Sequence, residues 1–281
     1  MAALPQHWRD LNRAELDAAY NNAAAVAHST ETVAGWERRS AGMRADMPRH
    51  LDLRYGERER NRIDFFNAGA GAGAPTLVFL HGGYWQARAK EAFTFAAAGP
   101  LAGGINVALV GYTLAPDATL DEIVAEARSA IDYLVLRLPD LGANPGRLLI
   151  SGWSAGAQLA AMLLDHPRVR GGLLISGIYD LEPMCHCYVN DKLRLDAAAA
   201  RRNSPIHHLP ETSPPVWLAV GGAELPELRR QSADYAAARA EKKLPGGFVE
   251  IPAADHFSIL QELATADGRL SRIVTQLAGG R

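Results

Sequence analysis

The chain has 281 residues, 48% of them hydrophobic and 21% charged, the balance of a soluble globular protein that buries a sizeable core without disulfide or metal staples. Its 29 Lys and Arg against 31 Asp and Glu give a formal net charge of −2, which supplies neither the basic surface of a nucleic-acid binder nor an acidic tail. Cys185 and Cys187, separated by one residue, cannot build a disulfide framework and point to a reducing compartment.

Met1 to Asp10 already carries Arg9 and Asp10 and lacks the basic-then-apolar profile of a signal peptide. Two uncharged stretches, 65–87 and 92–116, have membrane-spanning length but are broken by Gly and Pro, and each holds an apolar run of strand length. They read as buried strands, so the expectation is a cytoplasmic protein with no membrane segment.

Helical spacing of Leu11, Leu16, Ala19, Val26, Val33 and Trp36 predicts a helical region over 10–48, ended by Pro48. Residues 51–66 read as two strands around a turn at Gly56, followed by an Ala/Gly connector at 68–74. A βα rhythm then begins. Strands are predicted at 76–83, 105–112, 147–154, 171–180, 216–222 and 248–253. Helices are predicted at 88–98, 119–138, 155–166, 226–243 and 258–277, with Thr119 and Glu122 spaced as a capping box. The rhythm pauses at 181–214, which is polar and Pro-punctuated. The pattern predicts one α/β domain over 1–281 with an N-terminal helical region (1–50). Its central sheet should be mostly parallel, with helices on both faces and a small cap-like insertion (181–214) over the sheet's carboxyl edge. Ligands bind at that edge in open α/β sheets.

The sharpest chemical signal is Gly152-Trp153-Ser154-Ala155-Gly156, a G-x-S-x-G placed after an apolar strand and before an Ala-rich helix. A sharp strand-to-helix turn there presents the Ser154 hydroxyl above the sheet, and flanking glycines remove Cβ atoms that would clash. An ordinary Gly-rich turn is the bland alternative, which the strand before and helix after disfavour. His81-Gly82-Gly83-Tyr84-Trp85 closes an earlier strand. Glycines let the backbone curl so that N–H groups of Gly82 and Gly83, with that of Ala155, can face an oxyanion. His81 lies upstream of the serine and reads as a structural hydrogen-bonder.

A base should follow the last strand, where His256 stands; His166, His186, His207 and His208 do not occupy that place. The acid is Glu224, after the strand VWLAVGG, or Asp180, after the preceding strand; Glu227 is a weaker rival and Asp255 is too close in sequence to reach the far ring nitrogen. The aromatic residues Tyr84, Trp85, Trp153, Tyr179 and Phe257 lie near these positions, as pocket wall or as core. Cys185-His186-Cys187 and His207-His208 lack zinc-ligand spacing, and GAGAGA (69–74) precedes its strand rather than following one, so neither metal nor cofactor is expected.

HGGYW, GWSAG and YTLAP (112–116) together resemble the α/β-hydrolase superfamily near the hormone-sensitive-lipase-like esterases. The Tyr84-Trp85 pair, LDLRYG (51–56), NSP (203–205), Glu224-Leu225-Pro226-Glu227 and DHF (255–257) resemble kynurenine formamidases, from about residue 50 to 260. That resemblance implies the α/β-hydrolase fold, with Ser154 as nucleophile, His256 as base and Glu224 as acid. The acid is often Asp in such enzymes, so Glu224 is a departure and Asp180 stays open. The implied reaction is hydrolysis of a formyl anilide such as N-formyl-kynurenine, with carboxylester hydrolysis as runner-up. A hydrolase fold turned binding protein is the alternative of another class, and it would need a missing triad element. The expected partner is a small ester or amide; a homodimer is left open.

Overall fold

The computed structural model describes residues 8–47 and 49–279, so Pro48 and the first seven residues lie outside the described part. Eight strands form a single sheet: β1 (Arg49–Arg54), β2 (Arg62–Phe66), β3 (Thr76–Leu80), β4 (Asn106–Val110), β5 (Leu148–Trp153), β6 (Val169–Ile175), β7 (Val216–Gly221) and β8 (Gly246–Ile251). Their order is β1-β2-β4-β3-β5-β6-β7-β8. β1 and β2 form the antiparallel hairpin, β2 runs antiparallel to β4, and every later pairing is parallel. β3, β4 and β5 are buried along their whole lengths, which is why they read as unbroken apolar runs rather than alternating ones.

Connections leave β3 toward β4 on one side and return to β5 on the other. The chain therefore changes direction between β3 and β5, and the crevice beyond their carboxyl ends is the switch point where such sheets bind ligands. Apolar clusters fill both faces. One packs the helix Leu120–Arg137 through Ile123, Ala127, Ile131 and Leu134. The other gathers Trp36, Phe93, Trp153, Phe257 and Leu263.

The helix Leu120–Arg137 starts as the sequence predicts: the Thr119 side chain accepts from Glu122 N–H and Glu122 reaches back to Thr119. Other predicted helices are shorter or broken. The region 10–48 divides into Trp8–Asp10, Arg13–Ala19, Asn22–Ala25 and Ser29–Asp46. The breaks have local causes: Asn12 and Asn21 each cap a new helix start, and His28 takes a left-handed conformation, φ 60°. The last predicted helix divides into Ser258–Leu260, Gln261–Ala264 and Arg269–Gly279. The predicted helix 155–166 is regular only over Ala155–Ala161. The insertion 181–214 is more ordered than its polarity implied, with short helices at Glu182–His186, Asn190–Leu193, Ala197–Arg202 and Pro205–His207.

One buried ionic cluster ties the N-terminal helix to the sheet. Asp64 on β2 is fully buried and accepts from Arg44, from Lys90 Nζ at 3.0 Å and from the Asp52 amide at 2.9 Å. Removing the carboxylate takes the buried partner from Arg44 and one of three carboxylates from Lys90, which keeps Asp52 and Glu91. Asp64→Ala is expected to lose about 3–5 kcal/mol in chemical denaturation; a loss under about 1 kcal/mol means the cluster is solvated and holds little.

Candidate active site

Ser154 occupies the single residue between β5 and the helix Ala155–Ala161, with φ 57° and ψ −122°. That backbone is costly for a residue with a Cβ. It persists because both sides of the turn are pinned: Ser154 N–H donates to Ile175 O at 2.8 Å and Ser154 O accepts from Ala157 N–H at 2.9 Å. The flanking glycines are obligatory. A Cβ on Gly152 would stand 2.1 Å from Gly156 O, and one on Gly156 would stand 2.0 Å from Leu80 O. The motif thus brings the elbow into contact with the end of β3, where His81-Gly82-Gly83 begins.

Gly82 lies against the serine: a Cβ there would be 3.0 Å from Ser154 Cβ. The N–H groups of Gly82 and Gly83 donate to no acceptor among the described residues, and Ala155 is the first residue of its helix, where N–H groups precede any intrahelical acceptor. His81 holds this loop in shape. Its Nδ1 is 2.8 Å from Gly82 O and therefore carries the proton, while the Tyr112 hydroxyl donates to His81 O at 2.6 Å. The imidazole stacks between Tyr112 and Phe93, with centroids 4.3 and 5.7 Å away. Burial pushes its pKa down to about 4, so the ring is neutral at physiological pH.

His256 and Glu224 meet across the ends of β8 and β7, with Nδ1 2.6 Å from Oε2. The other carboxylate oxygen of Glu224 accepts from the Ser176 hydroxyl at 2.5 Å and from Gly221 N–H at 2.7 Å. The three side chains are nearly sealed, with Ser154 2%, His256 3% and Glu224 6% exposed. A proton on Nδ1, held by Glu224, leaves the lone pair on Nε2. Trp153, the variable residue of the G-x-S-x-G, donates from Nε1 to His256 O at 2.8 Å and packs its ring 4.8 Å from the imidazole. Asp255 accepts from the amides of Phe257 and Ser258 at 2.8 Å, fixing the turn that carries His256.

The rival carboxylates are engaged elsewhere. Asp180 Oδ1 accepts from Glu182 N–H at 3.0 Å, and Glu227 binds Arg230 and the Tyr20 hydroxyl. His166 pairs with Asp132 at 3.0 Å, and His186 stacks on Trp8. Among the aromatic residues, Trp85, Trp153, Tyr179 and Phe257 are buried against protein. Trp85 donates to Gln158 Oε1, Tyr179 stacks on Tyr235, and Phe257 packs on Trp36 and Trp153. They are core beside the site rather than open pocket wall, and only Tyr84 keeps partial exposure.

Three contributors have no sequence signature of their own. Ser176 follows β6 at the carboxyl edge, and that position is the one clue to it. Gln158 bridges Trp85 to Asn203 O. The N-terminal segment ties onto this region, where the Tyr84 hydroxyl donates to Tyr20 O at 2.5 Å and Tyr188 N–H donates to Asp17 at 2.6 Å, while Gln86 joins the loop after β3 to the insertion by donating to Val189 O at 2.5 Å. A cavity of about 490 Å³ beside Asp52 and Lys90 and a groove of about 790 Å³ between Leu11 and Phe248 lie outside the cluster of Ser154, His256 and Glu224. Among the described residues, no group of three or more His, Cys, Asp or Glu could hold a metal ion, and no helix is long and apolar enough to cross a membrane.

Residues 77–204 match the alpha/beta hydrolase fold family, and the sheet order and elbow described above are those of an α/β-hydrolase. The chain is 30% identical to the kynurenine formamidase of Salmo salar, over 97% of this chain and 98% of that one. A candidate thioesterase from Silicibacter sp. superposes with a TM-score of 0.84 at 29% identity, covering 93% of this chain and 99% of that one. A hyperthermophilic esterase from Pyrobaculum calidifontis shares the fold, with a TM-score of 0.73 at 20% identity over 89% of this chain and 93% of its own. The chain belongs to the α/β-hydrolase family that includes the kynurenine formamidases, and it is a hydrolase.

The buried His81 links the site to pH. Its folded pKa, about 4, lies below the ordinary 6.5, so between these values the unfolded chain binds a proton that the native chain does not. Stability is full above about pH 6.5 and falls toward pH 4, by about 3 kcal/mol from this ring. Denaturation curves at several pH values should show this decline, with a shallower one in His81→Gln; equal slopes in both proteins mean that the acid sensitivity arises elsewhere.

Proposed function

We propose that the chain is a cofactor-free serine hydrolase that cleaves aryl formamides such as N-formyl-kynurenine by a Ser154–His256–Glu224 triad. The observation that carries the reading is the sealed His256–Glu224 contact of 2.6 Å, joined through the Trp153–His256 bond to a serine held in a nucleophile-elbow conformation. Ser154 Oγ attacks the formyl carbon while His256 Nε2 takes its proton. The developing imidazolium is stabilised through Nδ1–H by Glu224, whose own charge is satisfied by Ser176 and Gly221. The unspent N–H groups of Gly82 and Gly83, with that of Ala155, receive the oxyanion. His256 then protonates the aniline nitrogen, the C–N bond breaks and the arylamine leaves. Water, deprotonated by His256, attacks the formyl ester on Ser154, and formate departs as the serine recovers its proton.

Two further facts support the formamide over a larger acyl group. Formyl is the smallest acyl group, which suits a serine only 2% exposed under a roof of protein. The full-length relative from Salmo salar is a kynurenine formamidase.

The test is kcat/KM on N-formyl-L-kynurenine with phenyl acetate alongside. A value of ~10⁴ M⁻¹s⁻¹ or more on the formamide is expected. Ester turnover with negligible formamide turnover reassigns the enzyme as a carboxylesterase with the same triad. Ser154→Ala should lose on the order of 10⁶ in kcat and His256→Ala a comparable factor; turnover retained in either removes the triad. Glu224→Gln should cost about 10²–10⁴ in kcat and Asp180→Asn less than tenfold, and the reverse order transfers the acid role to Asp180.

A further inference from the structure

Asn22 stands at an unusual junction. It is the first residue of the short helix Asn22–Ala25, whose capping is done by its neighbour Asn21 through Ala24 N–H, so its own side chain has no capping duty. The side chain is 4% exposed. Its Nδ2 donates to the Tyr84 hydroxyl at 3.2 Å, and that hydroxyl spends its own proton on Tyr20 O at 2.5 Å. The direction of the amide follows: Tyr84 has only a lone pair left to offer, so Asn22 must present nitrogen to it and oxygen to the other side. That oxygen, Oδ1, has no hydrogen-bond partner among the described residues. A buried acceptor left unpaired is costly, and native proteins keep few of them without a purpose.

The orphan lies next to the reaction centre. Tyr84 directly follows Gly82-Gly83, and Gly82 touches Ser154. Its phenol is close enough to Glu224 for that carboxylate to be one of the charges that, after burial itself, raise its pKa. Asn22 therefore stands at the hydroxyl end of the Tyr84 ring, whose backbone continues the Gly82-Gly83 loop.

We propose that Asn22 Oδ1 is a specificity determinant that accepts a hydrogen bond from the α-ammonium group of an amino-acid-bearing aryl substrate. This rests on the aryl-formamide reading above. A lone carbonyl-type acceptor takes an N–H donor and rejects a carboxylate, so of the two charged ends of an amino acid it selects the ammonium. In N-formyl-kynurenine that ammonium is set off from the formyl group by the aryl ring and a short keto linker, so its acceptor must stand away from the serine, as one at the hydroxyl end of the Tyr84 ring does. Tyr84 is the positioning residue: it fixes the amide's direction and thereby the acceptor's.

The experiment compares N-formyl-L-kynurenine with the analogue in which hydrogen replaces the α-amino group, taking the ratio of the two kcat/KM values on one enzyme sample so that partial unfolding cancels. Wild type should prefer the amino acid, and Asn22→Ala and Asn22→Leu should lower the ratio about 10- to 100-fold, the size of a charge-assisted hydrogen bond, mainly through KM. Asn22→Asp, which keeps an acceptor, should retain the preference. A ratio that is the same in wild type and variants, or no preference in wild type, overturns the assignment. If wild type cleaves neither formamide, the formamide reading fails separately. The ratio is then read from inhibition of phenyl acetate hydrolysis by L-kynurenine and its deaminated analogue. A drop in Asn22→Ala upholds the ammonium site, and equal inhibition constants overturn it.

Discussion

The backbone of Ser154 is the constraint around which the remainder is arranged. A residue with φ 57° and ψ −122° survives only where its surroundings over-determine it. Here the price is met by two glycines that let the helix Ala155–Ala161 close down on β3 and β5 to within distances no Cβ would tolerate. The same closeness does chemical work. Because Gly156 approaches Leu80 O and His81 O, the loop after β3 must begin beside the serine, and the amides of Gly82 and Gly83 arrive unspent at the place where Ser154 lies. The strand order then settles the other contributors, since β6, β7 and β8 follow β5 in sequence across the sheet and each delivers one residue at its carboxyl end: Ser176, Glu224 and His256.

A buried carboxylate facing a histidine is unfavourable unless its oxygens are occupied, because desolvation exceeds what a single contact returns. Glu224 meets that requirement with three partners on two oxygens. The longer side chain of Glu, compared with Asp, is accommodated by a tight turn in which Gly221 N–H, three residues back, closes on the carboxylate itself. Trp153 joins this network to the elbow, since one residue both precedes the serine and holds the histidine's backbone. A substitution at Trp153 would therefore disturb the position of His256 as well as the packing of Trp36 and Phe257.

Fold and reacting groups were legible to different extents because they are written at different ranges. The parallel strands announce themselves as apolar runs, and Gly152-Trp153-Ser154-Ala155-Gly156 is a local pattern whose glycines have a local steric cause. Strand order left the acid open between Glu224 and Asp180, and the geometry puts Glu224, not Asp180, on the ring. Helix interruptions in the N-terminal region were less visible, since Asn12 and Asn21 act as caps only when a helix start is already in mind. Least legible were contacts spanning the chain. Tyr20 meets Gln231 and Glu227, more than two hundred residues away, and Tyr84 meets Tyr20 through a backbone carbonyl that any residue could supply. No composition or period encodes such a contact. The sequence left Tyr84, Trp85, Trp153, Tyr179 and Phe257 open between pocket wall and core, and the structure packs all but Tyr84 into the buried clusters.

The division of labour along the chain bears on specificity. The match to the general α/β-hydrolase family covers 77–204, which contains the oxyanion loop and Ser154 but neither Glu224, His256 nor the N-terminal segment. That segment and 181–195 hold to each other and to the loop after Gly83: Tyr20 O accepts from the Tyr84 hydroxyl, Asp17 from Tyr188 N–H, and Val189 O from Gln86. The elbow and the loop after β3 thus lie inside the family match, while Glu224, His256 and the N-terminal segment lie outside it. The N-terminal segment meets that loop directly, because the tyrosine hydroxyl that contacts Asn22 belongs to the residue next to Gly83.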